Sequence, residues 1–521
     1  MNFRSVRHIS NWSVLDIFNW RVSDKSIWRI PNISHLRVLR NSHLIHPFLL
    51  AAFLAIIIAA PTIATEPASQ RKAETKYLLF QLFLAEAARG FFPPQTNPDD
   101  FVDDLINHIG STGNSQQRLG FAIGPICFNQ NDDEVRRLIR HSFQIALAKN
   151  VAVAFHIDSH IFWDKQKQIY DNKNNYEWSD WKGTVTTGAR LDWSKDPMKA
   201  PAQMCFNSPA IKVAVKQRAN LIGVELKRGI EELKAAHKED LFAGVMTGWE
   251  TRIGRDFATN RSLGYHALSN CGFHTNTPQN ICDAERCKVV KEFIESWASE
   301  ITKAGVQSEK VYCHIAFTPQ GFEGNDQFTY AERVGFATPD VAFSKYYRPG
   351  FSTYPESDSI EQIHSVVLKH GNPHWISAEG TNVVPNGIPG ESTMETYLGK
   401  MFNHGATIVN IFSWGMGGDA EKNNFFRRAN EGEEAISAYK KFLAGKTLIE
   451  QKRSANAFEP RKFQAKIQTI QQQIPKWLQS TKRPDLIQPM MIKLDALIKA
   501  NNFTEANKQA DEILNLLNSR P

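Results

Sequence analysis

Between residues 76 and 445 the chain alternates short apolar runs with longer amphipathic stretches, and it does so eight times. A strand buried on both faces reads as a continuous apolar run, and parallel strands need a helical crossover between them. The strand-like runs are Tyr77–Leu84, Leu119–Gly124, Val151–Ile157, Phe242–Thr247, Val311–Phe317, Phe351–Tyr354, His374–Ala378 and Thr407–Ser413. Eight such units in series predict an α/β fold, a (β/α)8 barrel of the TIM type. The alternative is an open doubly wound sheet, which would usually carry a Gly-rich phosphate loop after an early strand. The sequence has no such loop.

Helix starts support the alternation. Asn97 with Pro98 at the first helical position caps one helix, and Asn131 with Glu134 forms a capping box for the next. Ser208 is placed to cap a helix over 209–237, and Ser392 with Glu395 to open the seventh. Further helices are expected over 284–304, from Ser359 and over 433–444, with the weakest signal between 318 and 349. The long insertions follow strands three, four and five, on the face where barrel enzymes build their sites. Residues 446–521 change character, becoming rich in Gln, Lys, Ile and Leu. They read as an all-α helical appendage of about three helices, a candidate protein contact. The predicted domains are therefore a leader over 1–65, a barrel over 66–445 and a helical region over 446–521.

The formal charge is +7, but residues 1–64 hold seven Lys or Arg against two acids, leaving the rest of the chain at only +2. That leaves no basic patch of the kind nucleic acid requires. The basic leader precedes an apolar run, Phe48–Ala60, then Pro61 and small residues to Ala64. This order is that of a secretory signal cleaved near Ala64 or Thr65, so a secreted or periplasmic location is expected. The alternative is an uncleaved segment that anchors the protein to a membrane. Six cysteines follow the leader, three of them (Cys271, Cys282, Cys287) in one segment, where a disulfide could pin a loop.

Two glutamates stand where strands end. The fourth strand runs into GVMTGWE, ending on Glu250, and the seventh into HWISAEG, ending on Glu379. Barrel strands converge at their C-terminal ends, so residues 129 positions apart can meet across one mouth. Glycoside cleavage needs two carboxyls, one to protonate the leaving oxygen and one to attack or to activate water.

With Trp414 closing the eighth run (IFSW), this placement resembles clan A of the retaining glycoside hydrolases, which includes cellulase-like and β-galactosidase-like enzymes. The resemblance implies Glu250 as acid/base, Glu379 as nucleophile and Trp414 as the platform beneath the sugar. It also implies Tyr354, at the end of strand six, as a hydrogen-bond partner of the nucleophile. The chain departs from the clan directly before the acid/base, where Trp249 replaces the usual Asn that binds the sugar 2-hydroxyl. Either another group takes over that duty, with Arg252 a candidate, or the substrate lacks an ordinary 2-hydroxyl.

Trp163, Tyr176, Trp178, Trp181 and Trp193 crowd the insertion after strand three amid polar residues. Flat aromatic faces in a concave polar site suit sugar rings, although they can equally form a small core beneath a loop. Strand three ends HIDSH, placing His156, Asp158 and His160 on one face of an extended chain. These three are read as sugar-binding groups, with Asp256 and His266 as weaker candidates. The competing reading is a metal-dependent hydrolase built on His156 and Asp158, since His156 and His160 lie roughly 13 Å apart on an extended strand and cannot share one ion. The two-glutamate reading calls for no metal and no cofactor, and for a carbohydrate partner. A third reading is a non-catalytic carbohydrate-binding barrel.

Overall fold

The structure is a computed structural model that describes residues 74–83, 97–191, 198–317, 327–354, 359–380, 393–412, 414, 431–450, 460–499 and 503–518. The leader, Trp193, Ser392 and Ser413 lie outside the described residues. The chain divides into two compact units, one spanning 73–451 and the other containing residues 452–521.

The larger unit is a closed barrel of eight parallel strands: β1 (Lys76–Phe83), β2 (Gln117–Ile126), β3 (Ala152–Ile157), β4 (Phe242–Thr247), β5 (Val311–Cys313), β6 (Gly350–Ser352), β7 (Trp375–Gly380) and β8 (Ala406–Ile411). The strands pair in sequence order around the ring, and β1 pairs with β8. The last seam, between β5 and β6, is closed by the parallel bridges Tyr312–Arg348 and Ile315–Phe351. Backbone hydrogen bonds such as Cys313 N–H to the Arg348 carbonyl (3.0 Å) and Ser352 N–H to the Ile315 carbonyl (3.0 Å) complete that seam. The expected barrel is therefore present, and the open doubly wound sheet is not.

Helices α1 (Pro98–Ile109), α2 (Asp132–Lys149), α3 (Pro209–Ala235), α4 (Gln279–Lys303), α5 (Ser359–Lys369), α6 (Met394–Phe402) and α7 (Glu433–Leu443) lie between and after the strands. Asn97 and Asn131 cap as the sequence suggests, and the Asn131–Glu134 capping box is complete. Two caps differ. Ser208 makes no capping bond and donates instead to the Asn175 side chain (2.7 Å). Thr393 caps α6, while Glu395 is drawn off to Lys441 and the Ile449 N–H. After β5 the described residues form only a short helical turn (Tyr330–Arg333) and a 3-10 turn (Pro339–Ala342), as the weak helical signal there foretold.

Two apolar layers hold the barrel. The larger lies between strands and helices, around residues such as Phe80, Phe121, Phe143, Trp297 and Tyr439. The smaller fills the interior with Tyr77, Leu79, Ala122, Ala152, Ala154, Tyr312, Ile376, Ala378 and Ile408. Toward the C-terminal ends of the strands the interior becomes polar, with Gln81, His156, His314, Ser352 and Asn410, all buried. All six cysteines are free thiols, so no disulfide pins the 271–287 segment. Cys282 and Cys287 are held along α4, and the Cys271 sulfur accepts a hydrogen bond from Asn207 (3.3 Å).

Among its described residues the second unit holds three helices, α8 (Pro460–Thr481), α9 (Pro484–Lys499) and α10 (Phe503–Asn518). They bury their own apolar core, with Phe463, Ile470, Ile487, Leu494, Ala506, Ala510 and Ile513 at its centre. Among the described residues no helix is long and apolar enough to cross a membrane.

Candidate active site

Both glutamates reach the mouth by leaving regular strand geometry. At the end of β7 the register against β8 steps from Val409–Ser377 to Ile411–Gly380, and against β6 from Phe351–Ser377 to Ser352–Glu379. One extra residue on β7 is a bulge, which re-aims the side chain that follows it. Glu379 is turned so that its carboxylate accepts Trp249 Nε1–H (2.5 Å) and the Tyr354 hydroxyl. Glu250 sits in the turn after β4 with φ +50°, a left-handed backbone that non-glycine residues seldom adopt. Its neighbour Gly248 has φ +121°, and a Cβ there would lie 2.4 Å from Thr251 Oγ1, so only glycine fits. Thr251 in turn bonds Ser159 in the turn after β3 (2.7 Å), which ties the two turns together.

Ser352, at the end of β6, is within 2.7 Å of Glu250 Oε1, and Arg252 Nη1 lies 3.8 Å from Oε2. Burial, followed by the Glu250 carboxylate, pushes the Glu379 carboxyl up to about 8, against the pull of the bonds from Tyr354 and Trp249. Burial and the two carboxylates push the Tyr354 hydroxyl well above its usual range. The charge of Glu250 thus raises the proton affinity of Glu379, and the two carboxyls act as a coupled pair. One is therefore equipped to give a proton and the other to carry a negative charge toward an electrophile.

An apolar wall stands beside the pair. Trp249 packs edge-on against Phe83 (5.5 Å) and Phe412 (6.4 Å), at the ends of β1 and β8, in a cluster with Cys127, Ile161 and Phe162. On its other side Trp249 stacks flat on His156, with ring centroids 3.9 Å apart at 3°. Gly124 on β2 leaves room for this stack. A Cβ there would lie 2.6 Å from the His156 carbonyl oxygen and 3.1 Å from the Trp249 ring.

Other sequence candidates fall elsewhere. Trp414 is 1 % exposed, donates Nε1–H to Asp104 of α1 (2.9 Å) and packs edge-on against Phe80. These contacts hold it in the layer between strands and helices, so it is no platform for a sugar. Phe412 is the β8-end residue that reaches the mouth. Trp163 is fully buried, bonds the Ala202 carbonyl (2.9 Å) and packs against Tyr170 and Tyr176, so it is the core of the insertion. Trp178 stacks on His266 and Trp181 meets Tyr265 edge-on, so these two rings are half-buried against a neighbouring helix.

Asp158 Oδ1 caps its own turn, accepting the N–H groups of His160 (3.2 Å) and Ile161 (2.9 Å), and burial pushes its carboxyl up to about 7. His160 packs edge-on to Phe206, and burial, helped by Arg252, pushes its imidazole down to about 3. Asp256 is occupied by Thr186, Thr187 and Thr259, which fasten its loop. His156 has both ring nitrogens engaged, with Gln81 Oε1 (3.0 Å) and His314 Nδ1 (2.9 Å). The donors of the competing metal reading thus serve two separate networks. Among the described residues no group of three or more His, Cys, Asp or Glu is arranged to hold a metal ion.

Gln81, His314, Ser352, Phe83 and Phe412 were not singled out from the sequence. The signal for the first two was there: a lone polar residue in an apolar run (YLLFQLFL, VYCHIAF) of a strand buried on both faces.

No family model and no curated protein matches this chain. Solved structures it is similar to include the endo-β-1,4-mannanase from Thermotoga petrophila, at 12% identity over 71% of this chain and 76% of that one, with a TM-score of 0.42. The catalytic domain of β-amylase from Paenibacillus polymyxa matches at 8% over 73% and 100%, with a TM-score of 0.45. The β-galactosidase from Marinomonas ef1 matches at 11% over 70% and 59%, with a TM-score of 0.42. The barrel itself rests on the strand pairing and the closing seam.

Proposed function

We propose that this chain is a glycoside hydrolase that cleaves O-glycosidic bonds of an oligo- or polysaccharide by a two-glutamate retaining mechanism. The observation that supports it is the coupled pair Glu250 and Glu379, delivered to one mouth from β4 and β7 by a left-handed turn and a strand bulge. In the first step Glu379 attacks the anomeric carbon. The carbon–oxygen bond to the leaving group breaks, and Glu250 gives its proton to that oxygen. In the second, Glu250 takes a proton from water as the water oxygen attacks the same carbon and releases Glu379. Trp249 and Tyr354 hold the nucleophile by its two oxygens, and Phe83, Phe412 and Trp249 supply an apolar face for a sugar ring.

The test is turnover of aryl glycosides of gluco, galacto, manno and xylo configuration by the wild type, Glu250→Gln and Glu379→Gln. Loss of turnover in both variants is expected, and full activity in either would sink the assignment. Binding of glycans without any turnover by the wild type would favour the non-catalytic barrel instead. Export is proposed from the basic leader and the apolar run to Ala60. N-terminal sequencing of the mature protein should begin near Ala64 or Thr65, and an intact N-terminus in a membrane fraction would favour the anchor.

A further inference from the structure

Behind Glu250 runs an unbroken line of buried side chains. His156 Nδ1 lies 3.0 Å from Gln81 Oε1, His156 Nε2 2.9 Å from His314 Nδ1, His314 Nε2 2.8 Å from Ser352 Oγ, and Ser352 Oγ 2.7 Å from Glu250 Oε1. The far end is fixed. The Gln81 amide nitrogen donates to the Leu82 and Ala122 carbonyls, and its oxygen accepts from Asn410, which also donates to the Ala378 carbonyl. Gln81 Oε1 is thus an acceptor, and His156 must carry its proton on Nδ1.

Counting protons along the line has a consequence. Four contacts need four hydrogens, yet neutral His156, neutral His314 and Ser352 bring only three. If Glu250 is ionised, one contact is left with two lone pairs facing each other at 2.7–3.0 Å. If Glu250 carries the fourth proton, every contact is made: Glu250 donates to Ser352, Ser352 to His314 Nε2, His314 Nδ1–H to His156 Nε2, and His156 Nδ1–H to Gln81.

We propose that His156, His314 and Ser352 form a proton-holding relay that keeps Glu250 in its acid form before substrate binds, with the three acting as positioning residues. This rests on the two-glutamate reading and goes beyond it, by naming what decides which carboxyl of the pair holds the shared proton. Glu379 accepts two hydrogen bonds and is the charged partner, whereas Glu250 faces a chain that is complete only when it donates. The other place for the fourth proton is an imidazole. Burial opposes it in both, pushing His314 down to about 3 and His156 well below its usual range, although the Gly248 carbonyl pulls His156 the other way. The other groups around Glu250 are Arg252 from its own turn, Glu379 from β7 and Tyr354 beyond β6.

The experiment is 15N NMR of the full-length chain labelled at histidine, titrated from pH 5 to 8, with Ser352→Ala and Ser352→Thr alongside. Near pH 6 the relay requires both imidazoles neutral with the proton on Nδ1. An imidazolium signal from either residue, or His314 protonated only on Nε2, would overturn the proposal. The kinetic arm uses phenyl and 2,4-dinitrophenyl glycosides of the configuration the enzyme accepts. Ser352→Ala should lose at least tenfold more on phenyl glycosides, which need a proton on the leaving oxygen, than on dinitrophenyl glycosides, and its basic pH limb should move to lower pH. Ser352→Thr should restore both. Equal losses on the two substrates with an unchanged pH limb would reduce the line to scaffolding. If Glu379→Gln keeps turnover on either substrate, the two-glutamate reading fails instead, an outcome separate from the histidine signals.

Discussion

The left-handed backbone at Glu250 makes a quantitative demand on stability. A side chain bearing a Cβ at φ +50° costs about 1–2 kcal/mol relative to glycine. Glycine gives back about 0.4–1 kcal/mol through its freer unfolded chain. Glu250→Gly and Glu250→Ala both remove the carboxylate, its contact with Ser352 and its approach to Arg252, so those losses cancel between them. The difference is the strain less the entropy of the freer glycine chain, and the glycine variant should be the more stable by about 1 kcal/mol. At an ordinary strand or helix position the order is reversed, with alanine ahead by about 0.5–1 kcal/mol. Urea unfolding of the two variants, compared by midpoint at a shared slope, reads the difference directly. An alanine variant as stable as the glycine variant, or more so, would show that the turn is not strained and that Glu250 is aimed by something else. Strain of this kind is held where a side chain must face its reaction partner.

Glu379→Gln should alter stability with pH in a defined direction. Burial and the second charge make the coupled pair, not one carboxyl alone, hold a proton more tightly folded than unfolded, up to about pH 8. That stabilising contribution is complete below about pH 4.5 and is lost as pH rises toward 8. Thermal melts of the wild type should fall more steeply than those of the variant between pH 5 and 8, and parallel curves would count against a buried, coupled pair. Trp414→Phe should cost about 1 kcal/mol through the lost bond to Asp104 and leave KM unchanged; a raised KM would return Trp414 to the sugar site. Gly124→Ala should cost about 1–3 kcal/mol and lower kcat about tenfold or more by shifting Trp249 off His156, so unchanged kinetics would make that stack incidental.

The architecture was legible because its physics is local. Each parallel strand is buried on both faces and reads as an apolar run, and Asn97, Pro98, Asn131 and Glu134 mark helix starts through short-range bonds. The placement of Glu250 and Glu379 at the ends of two strands was legible because strand ends converge in a barrel. The manner of their aiming was not, since neither the β7 bulge nor the turn at Gly248 is encoded by alternation. Trp414 was misplaced for the same reason: beyond Ile411 the strand has ended, and packing against Asp104 and Phe80 decides where the indole goes. Trp163 shows the limit of composition, because a tryptophan amid polar neighbours in sequence proved to be the core of its loop. The relay from Gln81 to Glu250 draws one residue from each of several strands, and no single segment carries its pattern.

The most direct test of the two-glutamate account is to map a trapped intermediate. The enzyme is incubated with an activated 2-deoxy-2-fluoro glycoside of the configuration its aryl glycoside turnover selects, then digested and analysed by mass spectrometry. The account predicts a glycosyl group on the peptide from strand β7, attached to Glu379. Inactivation with the label on any other residue would contradict it.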